Sequence, residues 1–248
     1  MFHMKQILSG IVATIILIAQ IEKASADSIW NNNNGQSGAD NRNWSYSSNW
    51  IYGLPNSGTN VKISEWALSA DSYPIVSTMG NTANQVYLNL GATLSVVNGG
   101  SLLVNSYITG QWNNTGVTDV SGGLLQTGSL LLGNGGFDGK LNISGGSVVA
   151  DYLSINTGGG AKINIGQNGL FVAAASNLGN INYWINNNSI QANDGLAGWT
   201  INVDTASQAG KVVLTAVNVA SIPEPSTFAT LGTGLVLLCV TRSLRRKS

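Results

Sequence analysis

Reactive side chains are sparse in this chain. The one histidine is His3 and the one cysteine is Cys239, and each falls in a terminal segment rich in apolar residues. The stretch between those segments, residues 27–222, therefore has no His or Cys. A Ser-His-Asp triad, a cysteine nucleophile, a histidine zinc site and an intrachain disulfide are all excluded there. What remains is nine acids (Asp27, Asp40, Glu65, Asp71, Asp119, Asp138, Asp151, Asp194, Asp204) against five bases (Arg42, Lys62, Lys140, Lys162, Lys211), a mildly acidic −4. Two chemistries can be built from such a set. A glycosidase needs two carboxylates a fixed distance apart across a groove. A lyase acting on uronic-acid chains needs a base, commonly Lys or Arg, often with carboxylates that hold calcium.

Testing those chemistries requires the elements that would carry the residues, and the first signal of these is an internal repeat. Gly pairs occur at Gly99-Gly100, Gly122-Gly123 and Gly145-Gly146, 23 residues apart in both intervals. Each follows a β-prone tripeptide (Ser95-Val96-Val97, Thr118-Asp119-Val120, Asn142-Ile143-Ser144) and precedes an apolar run. A looser copy lies at Ile163-Asn164-Ile165, Asn168-Gly169 and Leu170-Phe171-Val172. Alternating apolar and polar residues bury one face of a short strand. Glycine and asparagine at fixed intervals turn corners with positive φ. Copies stacked at ~4.8 Å would pair backbone to backbone. The expectation is an all-β fold, a short parallel β-solenoid with three short strands per copy and capping segments at both ends. The alternative is a β-sandwich.

On this repeat the acids do not align. Asp119 plus 23 is Asn142, and Asp138 plus 23 is Ala161, so no carboxylate column forms. Asp151 stands alone. Lys140 and Lys162 differ by 22 and are expected to stack and repel. No Asp-rich calcium nonapeptide is present. The residues imply no catalytic group, no cofactor and no metal. Formal net charge of zero gives no polybasic footprint, so no nucleic-acid partner is expected. For binding, the seven tryptophans (30, 44, 50, 66, 112, 184, 199) are the candidates, since their faces stack on sugar rings. Most are expected to pack the caps. Trp112, in the polar loop Gly110-Gln111-Trp112-Asn113-Asn114, is the best single candidate for a glycan contact.

The ends carry addresses. Lys5, an apolar run over 7–19 and Ala24-Ser25-Ala26 read as a signal peptide over residues 1–26, with Ala24 and Ala26 as the small residues that signal peptidase requires. At the other end Pro223-Glu224-Pro225 precedes an apolar stretch over 226–241, then Arg242, Arg245, Arg246 and Lys247. Sixteen helical residues span about 24 Å at ~1.5 Å each. That is somewhat short of a ~30 Å hydrocarbon core, a gap that snorkelling arginines can cover. The basic cluster holds this transmembrane helix with its terminus on the cytoplasmic side.

Pro-Glu-Pro, one short membrane helix and a terminal Arg cluster, in that order over about residues 221–248, resemble the PEP-CTERM sorting signal. The resemblance implies a membrane-bound exosortase that recognises the motif and removes the tail, in bacteria that make extracellular polysaccharide. A second resemblance covers roughly residues 29–175. The series Trp30, Trp44, Asn49-Trp50, Gly53-Leu54-Pro55, Val61-Lys62-Ile63 and Gly91-Ala92-Thr93-Leu94-Ser95-Val96 is similar to the opening of autotransporter-type β-helix repeats, which implies fold and export rather than activity.

The expected organisation is a signal peptide (1–26), an N-terminal β and loop cap (27–84), solenoid repeats (85–176), a C-terminal β cap (177–220) and a sorting tail (221–248). The 212–217 run is expected to form antiparallel strands that seal the stack. The expected function is that of an exported, surface-sorted structural or matrix-associated protein without catalysis. Its partners would be signal peptidase, an exosortase-type enzyme, the membrane before processing, and extracellular polysaccharide. The alternatives are a carbohydrate-binding module and a polysaccharide lyase or hydrolase on a β-helix.

Overall fold

The computed structural model describes residues 27–31, 42–64, 73–110 and 115–219. The expected signal peptide and sorting tail, with Ala24, Ala26, Pro223, Glu224, Pro225, Arg242, Arg245 and Arg246, lie outside these residues, as does Trp112. Among the described residues no helix is long and apolar enough to cross a membrane.

The described chain is mostly β-strand: β1 (Asp27–Trp30), β2 (Trp50–Ile51), β3 (Asn60–Ile63), β4 (Ile75–Val76), β5 (Asn81–Leu88), β6 (Thr93–Val96), β7 (Ser101–Thr109), β8 (Gly116–Leu132), β9 (Gly139–Ile155) and β10 (Lys162–Ala174). One α-helix, α1 (Leu178–Asn186), precedes β11 (Ile190–Ala192), β12 (Trp199–Asp204) and β13 (Lys211–Asn218). All thirteen strands belong to one long sheet, ordered β12-β13-β10-β9-β8-β7-β5-β3-β1-β2, with β4, β6 and β11 paired beside that path. Pairing is parallel from β1 through β10. Antiparallel contact is confined to β1–β2 and to the β10–β13 and β13–β12 pairs. Two stacked antiparallel sheets, the sandwich alternative, do not describe this arrangement.

The repeat read from the glycine pairs sets the register. Leu102 pairs with Leu125, Leu125 with Val148 and Val148 with Phe171, each step 23 residues. All four side chains are buried. Two more buried rows run beside them: Leu94, Thr118, Leu141, Ile163 and Ile190; and Val96, Val120, Ile143, Ile165 and Ala192. Alternation along each strand sends the intervening polar residues to the other side. The one polar member, Thr118, is satisfied: its Oγ1 lies 2.9 Å from the Tyr107 hydroxyl, inside the core. Burial pushes the Tyr107 phenol well above its ordinary pKa, so it stays a neutral hydrogen-bonding group.

Glycine at the corners is a matter of space. A Cβ on Gly169 would sit 2.1 Å from the Ile143 carbonyl oxygen of the preceding copy. One on Gly146, where φ is +72°, would sit 2.3 Å from the Gly123 oxygen. The register shifts between Val120 and Leu124 and between Ile165 and Asn168 fall at these corners.

The sheet departs from the expected organisation at both ends. Parallel pairing continues below residue 85, from β5 to β3 and from β3 to β1. At the other end β13 lies antiparallel on β10, in line with the reading of the 212–217 run, and residues 178–186, within the segment expected as a β cap, are helical. Leu178, Ile181 and Ile185 recur at helical spacing, and Ile181 and Trp184 are buried in the core. Just before the helix, the buried Asn177 stands in for a missing strand. Its Oδ1 accepts from Leu153 N–H (3.1 Å), and its Nδ2 donates to the Asp151 and Ala174 carbonyls (2.9 and 3.0 Å).

Three substitutions test this arrangement, each read from the denaturation midpoint. Gly169→Ala is expected to lose about 3 kcal/mol or more, since backbone must move to admit the methyl. Gly179→Ala, in α1 with open space around it, is expected to gain about 0.5 kcal/mol. Asn177→Ala leaves the Leu153 N–H and the two carbonyls without their partner and is expected to cost about 2–3 kcal/mol.

Candidate functional site

Because buried rows alternate with outward ones, each copy contributes to outer rows as well. On the face formed by β6 and the first halves of β8, β9 and β10, one outer row reads Ser95, Asp119, Asn142, Asn164, with Gln191 of β11 next. The adjacent row reads Thr93, Val117, Lys140, Lys162. Parallel pairing of identical or similar residues in successive copies is what makes such rows, and neighbours in a row are one inter-strand spacing, ~4.8 Å, apart.

Asp119 and Asn142 fall in one row at the 23-residue step, and Lys140 and Lys162 in the next at a step of 22. Asp119 faces Asn142, whose Nδ2 donates to its Oδ1 at 2.8 Å. Lys140 and Lys162 are direct register partners, both exposed. Asp138 stands two residues before Lys140, and its carboxylate lies against Gly160, two residues before Lys162; Asp27, Asp151 and Asp204 lie elsewhere. Asp151 forms an ion pair with Lys211 at 2.9 Å, and Asp27 with Lys62 at 2.6 Å. Asp204 accepts from the Ala206 and Ser207 backbone N–H groups, which hold its carboxyl below the usual range. Among the described residues no three of His, Cys, Asp and Glu converge on a metal position.

The cations divide sharply. Arg42 Nε donates to the Tyr73 carbonyl at 2.8 Å, and Lys62 and Lys211 are ion-paired. Among the described residues, Lys140 and Lys162 are the two cations without an ion-pair or hydrogen-bond partner, and they are adjacent. Two residues along each strand, on the same outer face, stand Asn142 and Asn164. Asn164 Oδ1 is taken by the Asp194 N–H at 2.7 Å, which turns its Nδ2 amide into the remaining donor. The four side chains form a two-by-two array on the outer face, with Asp119 bonded to Asn142 at its edge.

The described tryptophans serve packing, while Trp66 and Trp112 lie outside the described residues. Trp30 and Trp44 each meet Trp50 edge-on, with ring centroids 4.9 and 4.7 Å apart. Trp50 Nε1 donates to the Trp44 carbonyl at 2.7 Å. Trp184 is buried and Trp199 half-buried. The exposed rings among the described residues are instead tyrosines: Tyr46, Tyr52, Tyr152 and Tyr183. Lys140 and Lys162 were read in the sequence as a repelling pair. Asn164 was missed as their companion, although 142 plus 22 would have found it.

No protein-family model, curated protein or solved structure matches the chain. The array must therefore be read from its own chemistry.

Like charges held in register repel, so the lysine pair costs the fold something. Lys140→Gln is expected to leave stability unchanged or raise it by a few tenths of a kcal/mol at low salt, with the gain fading above about 0.5 M salt as screening takes over. Lys211→Gln, which removes one side of an ion pair, is expected to shift the midpoint the other way. Thermal denaturation of both variants across a salt series reads the difference.

Proposed function

We propose that this is an exported, surface-sorted structural or extracellular-matrix-associated protein, without catalysis, whose parallel sheet winds as a short β-solenoid. The observation that carries the export reading is the order of signals along the chain. Ala24-Ser25-Ala26 closes an apolar N-terminal run, and Pro223-Glu224-Pro225, an apolar stretch and Arg242, Arg245 and Arg246 close the other end. A signal peptidase would cut near Asp27. An exosortase-type enzyme would act near Pro223, after the tail has held the protein in the membrane. The chain would then pass to the cell surface or the matrix outside it.

Three features support the winding. Successive copies pair in parallel at a 23-residue step, each copy divides into short segments at glycine corners, and the inward rows merge into one core. A solenoid built this way is a rigid rod whose outer rows repeat at fixed spacing, which suits a scaffold better than a single deep active site. The acids support the non-catalytic reading by their positions: Asp119 is bonded to Asn142, and Asp27 and Asp151 are each tied to a lysine on another strand. The small net negative charge and the low count of charged residues fit a protein that meets solvent and polymer outside the cell.

Mass spectrometry of the mature protein from its native host tests the routing. New ends near Asp27 and near Pro223 are the expected result. A chain in the membrane fraction that still carries Arg242–Lys247 as part of an intact tail would overturn the sorting reading, and a retained residue 1–26 segment would overturn export by signal peptidase.

A further inference from the structure

An asparagine side chain can react with the backbone nitrogen of the residue after it, and a following glycine, which has no Cβ, leaves that approach open. The chain holds four such pairs: Asn34-Gly35, Asn98-Gly99, Asn134-Gly135 and Asn168-Gly169. The first lies outside the described residues. The other three share a dipeptide but not a setting.

Asn168 and Gly169 belong to β10 and pair with Gly145 and Gly146 of β9, and Gly169 is buried. Bringing side chain onto backbone there requires the ladder to open. Asn98 lies in a turn closed by the Gly100 N–H, which donates to the Val97 carbonyl at 2.9 Å, with φ +81° at Gly99. The next copy sits on it: Asn98 is half-buried, and a Cβ on Gly122 would lie 3.1 Å from its own Cβ. Asn134 lies between β8 and β9 in a turn of the same kind, closed by the Gly136 N–H on the Gly133 carbonyl at 3.1 Å, with φ +83° at Gly135. The base of this turn is held, since the Gly133 N–H donates to the Thr109 carbonyl at 2.9 Å. Its tip is open. Asn134, Gly135 and Gly136 are all exposed, and a Cβ on Gly136 would meet nothing within 4 Å. Neither the Asn134 amide nor the Gly135 N–H has a hydrogen-bond partner among the described residues.

We infer that Asn134 is a site of spontaneous covalent modification, an exposed amide that water converts to aspartate and isoaspartate. The Gly135 nitrogen gives its proton to solvent base and attacks Asn134 Cγ. A bond forms between that nitrogen and Cγ, the bond from Cγ to Nδ2 breaks, and ammonia leaves with a proton from solvent. The five-membered succinimide so formed takes up one water at either of its two carbonyls. Opening on one side gives aspartate. Opening on the other gives isoaspartate, in which the main chain runs through the former side chain. The balance is one water in and one ammonia out. The new carboxylate is ionised at neutral pH, so each event adds one negative charge to a body of nine acids and five bases. The extra main-chain atom of isoaspartate falls in the exposed tip, outside the paired residues of β8 and β9, so the ladder is left intact. No part of this inference rests on the routing reading.

The test incubates the full-length chain in detergent at mildly alkaline pH and follows each pair by peptide mapping, with synthetic peptides of the same local sequences as references. Each event is read as a gain of about one mass unit, with aspartate and isoaspartate forms separating on the column. Asn134 is expected to react at a rate near that of its peptide, Asn168 about tenfold or more slowly than its own peptide, and Asn98 between the two. In denaturant all three should match their peptides, which assigns the differences to the fold. Hydroxylamine, which opens a succinimide, should cut the chain after Asn134. The rate should rise with pH, because the attacking nitrogen must first lose its proton. Asn134→Gln is expected to abolish the change at this position and leave the denaturation midpoint where it was, since glutamine closes a six-membered ring far more slowly. An Asn134 that lags its peptide tenfold, or an Asn168 that reacts as fast as Asn134, would overturn the site. A rate that does not rise with pH would overturn the mechanism.

Discussion

Backbone pairing between successive parallel copies is the constraint from which the rest of this protein follows. Strands β5, β7, β8 and β9 pair with the strand of the copy before and of the copy after, so position along the chain is converted into position along the sheet. The pairing works only where backbone can approach backbone at the corners. At Gly169, Gly146 and Gly123 the oxygen of a neighbouring copy occupies the place a side chain would need. Removing that room anywhere in the middle would spread the copies and break ladder bonds on both sides of the corner.

The same geometry decides the inside and the outside together. Inward rows such as Leu102, Leu125, Val148 and Phe171 make a core with no covalent staple, at the expense of admitting few polar groups. Thr118 enters because Tyr107 meets it, and each answers the other's hydroxyl in a place that water does not reach. Outward rows inherit the same period. A residue that repeats at the 23-residue step therefore becomes a line of like groups, and a charge that repeats becomes a line of like charges.

The ends need different physics, because there the next copy is absent. Asn177 supplies from one side chain the acceptor and donors that a further strand would have supplied. Beyond it α1 lays Ile181 and Trp184 on the core, β11 covers the first half of β10, and β13 covers the second half in the opposite direction. At the other end Trp30, Trp44 and Trp50 fill the space with three interlocked rings, and β2 turns back on β1. These ends hold five of the tryptophans, in line with the expectation that most pack the caps.

Much of the interior was determined by the amino-acid sequence alone. Glycine pairs 23 residues apart set the register, addition placed Asp119 opposite Asn142, and a separation of 22, one short of the repeat, brought Lys140 opposite Lys162. That is possible because a parallel ladder turns a constant chain interval into a constant neighbour. Where the interval varies, the arithmetic fails: Val61 pairs with Val86 and Val86 with Tyr107, steps of 25 and 21, so the lower copies were read as a cap. The helix at residues 178–186 was also hidden, its short apolar spacing outweighed by the β pattern around it. Tertiary structure alone decided which charges are spent. Lys211 reaches Asp151 across 60 residues of chain, and Asp194 comes over the end of the stack to fix Asn164. No local period encodes such contacts. They exist only once the caps have folded over the copies, and they leave Lys140 and Lys162 as the pair that faces solvent.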